Sequence, residues 1–325
     1  MDKIDLKDRK ILYQLDLNCR QSNSQIGKKV GLGRNVVAYR INKMQDEGII
    51  DYFWTVIDTF KLGYNVFRLY LKIQDISKEK KQSLIEELKE YKNMWSLSSS
   101  AGSHDIGCVI WINDCYDFYH FLERIFNKYG KYISKKTISV YIQADEYEKT
   151  YLLSNKIKNI KRKKFSINCK SKKIKIDKLD YEILEILSLN ARIPLIDIAK
   201  KLDTSSQTVN YRIDNLQKLG IIKGFRVEID ITKLGLQYFD IRVDLQDYSF
   251  RKKIIDYLTS NPYFKCLNTA VGYKDLEVEF VTKNLDDIMT IMDDLNDEFP
   301  NVIRDYHFFK YRVTHKECWL PKMEF

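Results

Sequence analysis

The sequence predicts an α+β chain written twice: two winged helix-turn-helix domains, each followed by a ferredoxin-like β-α-β-β-α-β domain. Three observations predict this. The stretch "VAYRINKMQDEGII" at 37–50 returns as "VNYRIDNLQKLGII" at 209–222. Residues 4–63 align with 176–235 without a gap, with 26 of 60 positions identical, which marks an internal duplication. Within each copy the apolar period changes from that of a helix to that of a strand. The predicted boundaries are 1–63 and 64–150 for the first copy, 151–175 for a linker, and 176–235 and 236–325 for the second copy.

In the first 60 residues of each copy, Ile11, Leu12 and Leu15, then Ile26 and Val30, then Val37, Ile41 and Met44 follow helical spacing. Ser22 with Gln25 forms a capping-box pattern, Pro194 suits the first turn of the equivalent helix, and Thr204 with Gln207 suits the start of the repeated helix. Gly33 takes that place in the first copy, and Gly48 and Gly220 stand where the repeated helix stops. Short β-rich segments, "FWTVID" and "FRVEID", follow as wings. Beyond them Phe67, Leu69, Leu71 and Ile73, and Phe239, Ile241, Val243 and Leu245, alternate as one strand face. Helices at 78–91 and 249–260, strand pairs turning at Gly102 and Gly272, helices at 115–129 and 284–298, and strands at 137–143 and 306–313 complete each copy.

The net charge of +10 is concentrated in one place, since residues 151–175 hold ten Lys or Arg and no Asp or Glu. Without them, 45 basic residues balance 45 acidic ones, so the nucleic-acid argument must rest on residue placement elsewhere. The linker reads as a solvated tether, a phosphate-binding arm around "KIKNIKRKK", or a helix against the domains. Six scattered cysteines without a C-x-x-C pair predict reduced thiols, and His104 four residues before Cys108 reads as a turn residue beside a strand cysteine. The charged start "MDKIDLKDRK" and the lack of a long apolar run predict a cytoplasmic protein. No phosphate-binding glycine loop, zinc quartet or nucleophile elbow occurs, so no metal or cofactor is expected.

The motifs "DRKIL" and "DYEIL", the repeated helix, the "KLG" closing each wing, and the turns "GSHDI" and "GYKDL" together resemble the Lrp/AsnC family of transcriptional regulators, doubled in one chain. The resemblance implies binding of double-stranded DNA and an amino acid or similar small effector held near the two turns, at Gly102, Ser103, His104 and Asp105 and at Gly272, Tyr273, Lys274 and Asp275. Those turns also have a local reading, in which glycine permits positive φ and aspartate caps a hairpin. Pairing of the α/β domains is implied as well, either inside the chain as a pseudo-dimer or between chains as a homo-oligomer.

Placing Val37, Ile41 and Met44 inward leaves Arg34, Asn35, Ala38, Tyr39, Asn42 and Lys43 outward, with the N-terminal members leading into a major groove. Arg can read guanine and Asn adenine, so Arg34 and Asn35 are the base-reading candidates. In the second copy the equivalent set is Ser205, Ser206, Gln207, Asn210 and Tyr211, so the two helices should prefer different bases. Arg40 and Arg212 either contact phosphate or brace the fold. Asp51, opposite Lys223, weakens phosphate contact by the first wing. Two other functions fit the architecture: a siroheme decarboxylase-like enzyme, although no His-Asn-Tyr motif is present, and an effector-binding scaffold whose heads no longer read DNA.

Overall fold

Asp5 opens the first helix by accepting from the Asp8 amide while the Asp8 carboxylate accepts from the Asp5 amide, a reciprocal cap. The computed structural model describes residues 4–153, 162–170, 172–323 and 325. Three helices follow in order, α1 (Leu6–Leu17), α2 (Asn23–Val30) and α3 (Arg34–Asp46), then β1 (Ile50–Ile57). Ser22 and Gln25 form the expected capping box on α2, and Gly33 is the residue that starts α3. The first α/β domain comprises β2 (Asn65–Ile73), α4 (Lys78–Glu90), β3 (Met94–Gly102), β4 (Ile106–Ile112), α5 (Cys115–Tyr129) and β5 (Ile133–Tyr147).

After β6 (Lys164–Asn168) the plan repeats with α6 (Lys178–Leu189), α7 (Leu195–Lys201), α8 (Ser206–Lys218) and β7 (Ile222–Ile229). It closes with β8 (Gln237–Leu245), α9 (Arg251–Thr259), β9 (Phe264–Val271), β10 (Leu276–Thr282), α10 (Leu285–Glu298) and β11 (Ile303–Glu317). Two capping expectations shift by one residue. Ser205 rather than Thr204 caps α8, its hydroxyl accepting from the Thr208 amide. Pro194 is the residue before the first turn of α7.

Each α/β domain forms a four-stranded antiparallel sheet in ferredoxin order, β5-β2-β4-β3 in the first copy and β11-β8-β10-β9 in the second. The two sheets join edge to edge through β3 with β11 and β5 with β9, and this closes an eight-stranded barrel. Closure removes the exposed edges that an open sheet would present. It also explains why β5 and β11 run longer than alternation predicts. Each pairs first inside its own copy and then continues along the other, β5 meeting β2 and then β9.

The two wing segments are strands, as their β-rich composition predicts, and the structure adds their partner: β1 and β7 pair with each other antiparallel, from Ile50 opposite Ile229 to Ile57 opposite Ile222. Asp51 therefore lies on this shared ribbon, where burial, and then the charges of Glu228 and Asp230, raise its pKa. The linker is corrected in part. Lys164–Asn168 forms a strand on β5 with Phe165 and Ile167 buried, so this piece is neither a tether nor a helix. Most of "KIKNIKRKK" lies outside the described residues.

Among the described residues, three apolar cores result. Those of the two α/β domains lie between each sheet and its helices, around Leu69, Leu97 and Ile125 and around Ile241, Val278 and Met292. The third runs continuously through both helix-turn-helix units and includes Leu12, Ile41, Leu184, Ile213 and Phe225. Cys19, Cys108 and Cys266 are buried free thiols, whereas Cys115 and Cys169 are exposed. Among the described residues, no helix is long and apolar enough to cross a membrane and no His, Cys, Asp or Glu group could hold a metal.

Candidate nucleic-acid interface and internal cavity

On α3, burial of Val37, Ile41 and Met44 leaves Arg34, Asn35, Asn42 and Lys43 exposed, with Ala38 half-buried. Tyr39 is 67% exposed and its counterpart Tyr211 on α8 is 68% exposed, so neither ring serves the core. Gln207 and Asn210 are exposed, and Ser206 is half-buried beside Ser205 at the helix start. Asn210 donates to Asp214 at 3.1 Å. Both helices thus present a face of polar side chains around a projecting tyrosine, a composition suited to base edges and phosphates.

The arginines of the repeated Tyr-Arg pair point the other way. Arg40 Nη1 donates to Asp5 at 2.7 Å and to Asp8 at 2.8 Å. Arg212 Nη1 repeats the arrangement with Asp177 at 2.6 Å and Asp180 at 3.3 Å. Backbone hydrogen bonds, and then the arginine, hold Asp5 and Asp177 below the usual carboxylate range. Each arginine ties its third helix to the start of its first, the bracing alternative.

A lock between the heads escaped the sequence reading. Arg20 Nη1 donates to the carbonyls of Ala191 (2.8 Å) and Ile193 (3.1 Å). Arg192 reciprocates on the carbonyls of Cys19 and Gln21. Backbone bonds flank the pair, Cys19 to Phe225 and Ala191 to Phe53, both at 2.9 Å. The signal was present as "LNCR" and "LNAR" in the two copies, but only pairing of the copies gives those arginines their targets. With the shared core, this fixes α3 and α8 relative to each other.

The G-x-x-D turns converge at one mouth of the barrel. Gly102, at φ 131°, lies against Phe308 and Phe309 of the second copy, and Gly272, at φ 103°, lies against Ile138 and Ser139 of the first. A side chain at Gly102 would meet the Phe308 carbonyl. Asp105 accepts from the Ile73 amide and Asp275 from the Leu245 amide, both at 2.8 Å. Tyr70 lies between the turns, its ring 4.6 Å from His104 and 5.7 Å from Tyr273. Burial, then the Arg242 charge, pushes His104 down to about 3, so its ring is neutral. Ser103 bonds the His104 ring at 3.3 Å, and Lys274 pairs with Asp244.

The barrel interior carries charge that the strand pattern did not reveal. Arg68 and Arg242 both pair with Glu277, Arg242 also pairs with Asp240, and all four side chains are almost fully buried. Toward the helix-turn-helix end, Tyr238 stacks on Tyr311 at 4.5 Å, and Lys265 lies 3.5 Å from Glu279. There the interior opens into a cavity of about 1060 Å³, roofed by the β1–β7 ribbon and bounded by Trp54, Trp95 and Trp319.

Comparison with known proteins agrees with this anatomy. A winged helix-turn-helix DNA-binding family profile matches residues 4–51 and 176–223, one match per head. The chain is similar to the HTH-type transcriptional regulator LrpA of Pyrococcus horikoshii, at 34% identity over 128 residues, 39% of this chain and 87% of that one. It is similar to the HTH-type transcriptional regulator Ptr1 of Methanocaldococcus jannaschii at 31% identity over 130 residues, 39% of this chain and 82% of that one. The crystal structure of the siroheme decarboxylase NirDL superposes over 98% of this chain and 94% of its own, with a TM-score of 0.64. At 12% identity that likeness is one of fold.

Two helix-turn-helix heads carried on paired ferredoxin-like domains define a DNA-binding transcriptional regulator. The chain belongs to the Lrp/AsnC family, with the family's unit duplicated in tandem.

Proposed function

We propose that this regulator reads one DNA site with unlike halves and answers to a small effector. The observation that carries the reading is the outward face of the two recognition helices. Arg34, Asn35 and Ala38 of α3 stand where α8 has Ser206, Gln207 and Asn210. A long side chain able to pair with guanine is thus opposed to neutral amides and a hydroxyl. The Arg20 and Arg192 lock supports simultaneous engagement of both heads, because their spacing is fixed before DNA arrives. Selection of bound fragments from a genomic library should return sites with unlike halves. Arg34→Ala with Asn35→Ala should erase protection over one half only. Recovery of palindromic sites, or an unchanged footprint from the double variant, would overturn the reading.

The effector is expected at the mouth where Tyr70, His104 and Tyr273 meet, and it would be an amino acid or a similar small molecule. Titration with the twenty amino acids, followed by melting temperature, tests this clause. No shift with any of them would remove it.

The fold shared with a decarboxylase keeps an enzymatic reading in view. Two features favour regulation. The histidines are dispersed, with His120 exposed on α5, His307 beside Asp305 and His315 bonded to Ser99. Among the described residues, the internal cavity is also lined by more carboxylates than cations, a charge balance that disfavours a polycarboxylate tetrapyrrole. Loss of all binding to genomic DNA at low salt would instead favour an effector-binding scaffold.

A further inference from the structure

The pseudo-twofold axis relates the two halves of the chain, yet the cavity beneath the β1–β7 ribbon is far from symmetric. Three of the four tryptophans line it on one side. Trp54 stacks on Trp319 with ring centroids 4.0 Å apart, and Trp95 meets Trp319 edge-on at 6.3 Å. The fourth, Trp111, stacks behind Trp95 at 5.4 Å. At the positions equivalent to Trp54, Trp95 and Trp319, the other copy has Arg226, Lys265 and Lys149.

Those three cations neutralise the carboxylates of their own side. Arg226 and Lys149 hold Asp16, Arg226 holds Glu146, and Lys149 lies 3.3 Å from Glu228. Lys265 bridges Glu146 and Glu279 at 3.8 and 3.5 Å. Among the described residues, the tryptophan side has no such set. The described carboxylates that line the cavity are Asp51, Glu146, Glu228, Glu279 and Glu317, and the described cations are Lys265, already engaged, and the exposed Lys310 and Arg312. Among the described residues, Glu317 has one hydrogen-bond partner, the Tyr52 hydroxyl at 2.6 Å, and no cation within ion-pair distance. Its side chain is open to the cavity while protein surrounds it. Trp54, 3% exposed, has an indole N–H without a partner.

Tryptophan rings that line a cavity together with a carboxylate outside ion-pair reach of any described cation are the chemistry that holds an organic cation, the rings through their quadrupoles and the carboxylate through charge. We infer that the tryptophan side of this cavity binds a small organic amine or ammonium compound with an apolar body, its cationic head at Glu317. The site is separate from the G-x-x-D mouth, and binding to it can be measured without DNA.

All four tryptophans cluster here, so their emission reports occupancy directly. The full chain would be titrated at pH 8, where Glu317 is ionised, with phenethylammonium, and in parallel with phenylacetate, which has the same ring and the opposite charge. Phenethylammonium should give a saturable change in tryptophan emission, and phenylacetate none. Glu317→Gln should weaken binding about tenfold or more, the usual effect of losing a charged partner, while its melting curve stays that of a folded protein. The inference is overturned by equal or tighter binding of phenylacetate, or by a flat response to both compounds. It is also overturned by unchanged affinity in a folded Glu317→Gln variant. The two-ligand comparison on the native chain decides the matter even if that variant does not fold.

Discussion

Arg68 of the first copy crosses the barrel to Glu277 of the second, and the position equivalent to Glu277 in the first copy is Gly107. Arg68 in turn corresponds to Asp240, and Tyr70 to Arg242. The duplicated halves have diverged so that each supplies what the other lacks. Two first copies together would bury paired arginines without Glu277, and two second copies would duplicate Glu277 and Glu279. The interior therefore favours pairing of unlike halves, which a single chain guarantees.

Removing the shared counterion should be costly. Glu277→Ala leaves Arg68 without its carboxylate and Arg242 with only Asp240. Breaking a buried pair by deleting one partner costs about 3–5 kcal/mol. Urea unfolding should show a loss of that size, and Arg68→Met with Glu277→Leu should recover most of it. A loss below about 1 kcal/mol for Glu277→Ala would mean that water enters the barrel and screens the charges.

The head-to-head lock predicts a stability and a DNA phenotype together. Arg20→Ala with Arg192→Ala leaves carbonyls of Ala191, Ile193, Cys19 and Gln21 without these donors. Unsatisfied buried acceptors cost about 1–3 kcal/mol each, reduced here because these groups are only part-buried. A combined loss of about 2–4 kcal/mol is expected in urea unfolding. Affinity for a two-half site should fall more than affinity for a single half.

What the sequence disclosed and what it hid divide along one physical line. Local periodicity and caps disclosed the helices and the ferredoxin order, because Val37, Ile41 and Met44, or Phe67, Leu69 and Leu71, report their own element. Contacts between copies were hidden, because they depend on which edges meet. Nothing in "VFRLYLKI" says that Arg68 faces inward to a carboxylate of another domain; an arginine in a strand normally reads as solvent-facing. The long reach of β5, the β1–β7 ribbon and the cavity are all products of that pairing. The Arg40 alternatives were left open because Asp5 and Asp8 lie over 30 positions away.

Arg40 separates bracing from phosphate contact by measurement. Its pairs with Asp5 and Asp8 are partly exposed, so Arg40→Ala should cost about 1 kcal/mol or less of stability. The salt dependence of DNA binding should keep its slope. A slope reduced by about one would instead count Arg40 among the phosphate contacts.

The described end of the basic segment is docked by Arg162 and Phe165. The Arg162 guanidinium donates to the carbonyls of Glu148 (2.6 Å), Phe264 (2.7 Å), Asn261 (3.0 Å) and Thr259 (3.3 Å). Phe165 is buried against Gly224, where any Cβ would collide with its ring. Phe165→Ala should cost about 3–5 kcal/mol, and Gly224→Ala about 1–3 kcal/mol from overpacking. Gly224→Ala with Phe165→Leu should be milder than the sum, since the smaller side chain yields the space. Strict additivity in urea unfolding would show that the two sites do not touch.

Asp240 gives the barrel an inverted pH response. It is fully buried, and burial raises its pKa to about 7 against the pull of Arg242 at 2.5 Å and of Arg68, with Glu279 adding to the rise. Its ordinary value is 3.8, so between about pH 4 and 7 the folded chain holds a proton that the unfolded chain has released. Stability from this group is therefore present at the acid end of that window and lost as pH rises through 7. Glu317, also near 7 through burial, acts in the same direction; it faces Tyr52 and Glu228 of the ribbon, Lys265 of β9 and Glu146 of β5. Carboxylates held low, such as Asp5 and Asp177, work the opposite way, but their effect falls below about pH 4. His104, held down to about 3 by burial against an ordinary 6.5, also works the opposite way and adds stability as pH rises to about 6.5. From pH 5 to pH 8 the urea midpoint of Asp240→Asn, which cannot ionise, should therefore rise relative to that of the native chain. Parallel pH profiles for the two proteins would show that Asp240 is ionised throughout, and that its pair with Arg242 outweighs burial.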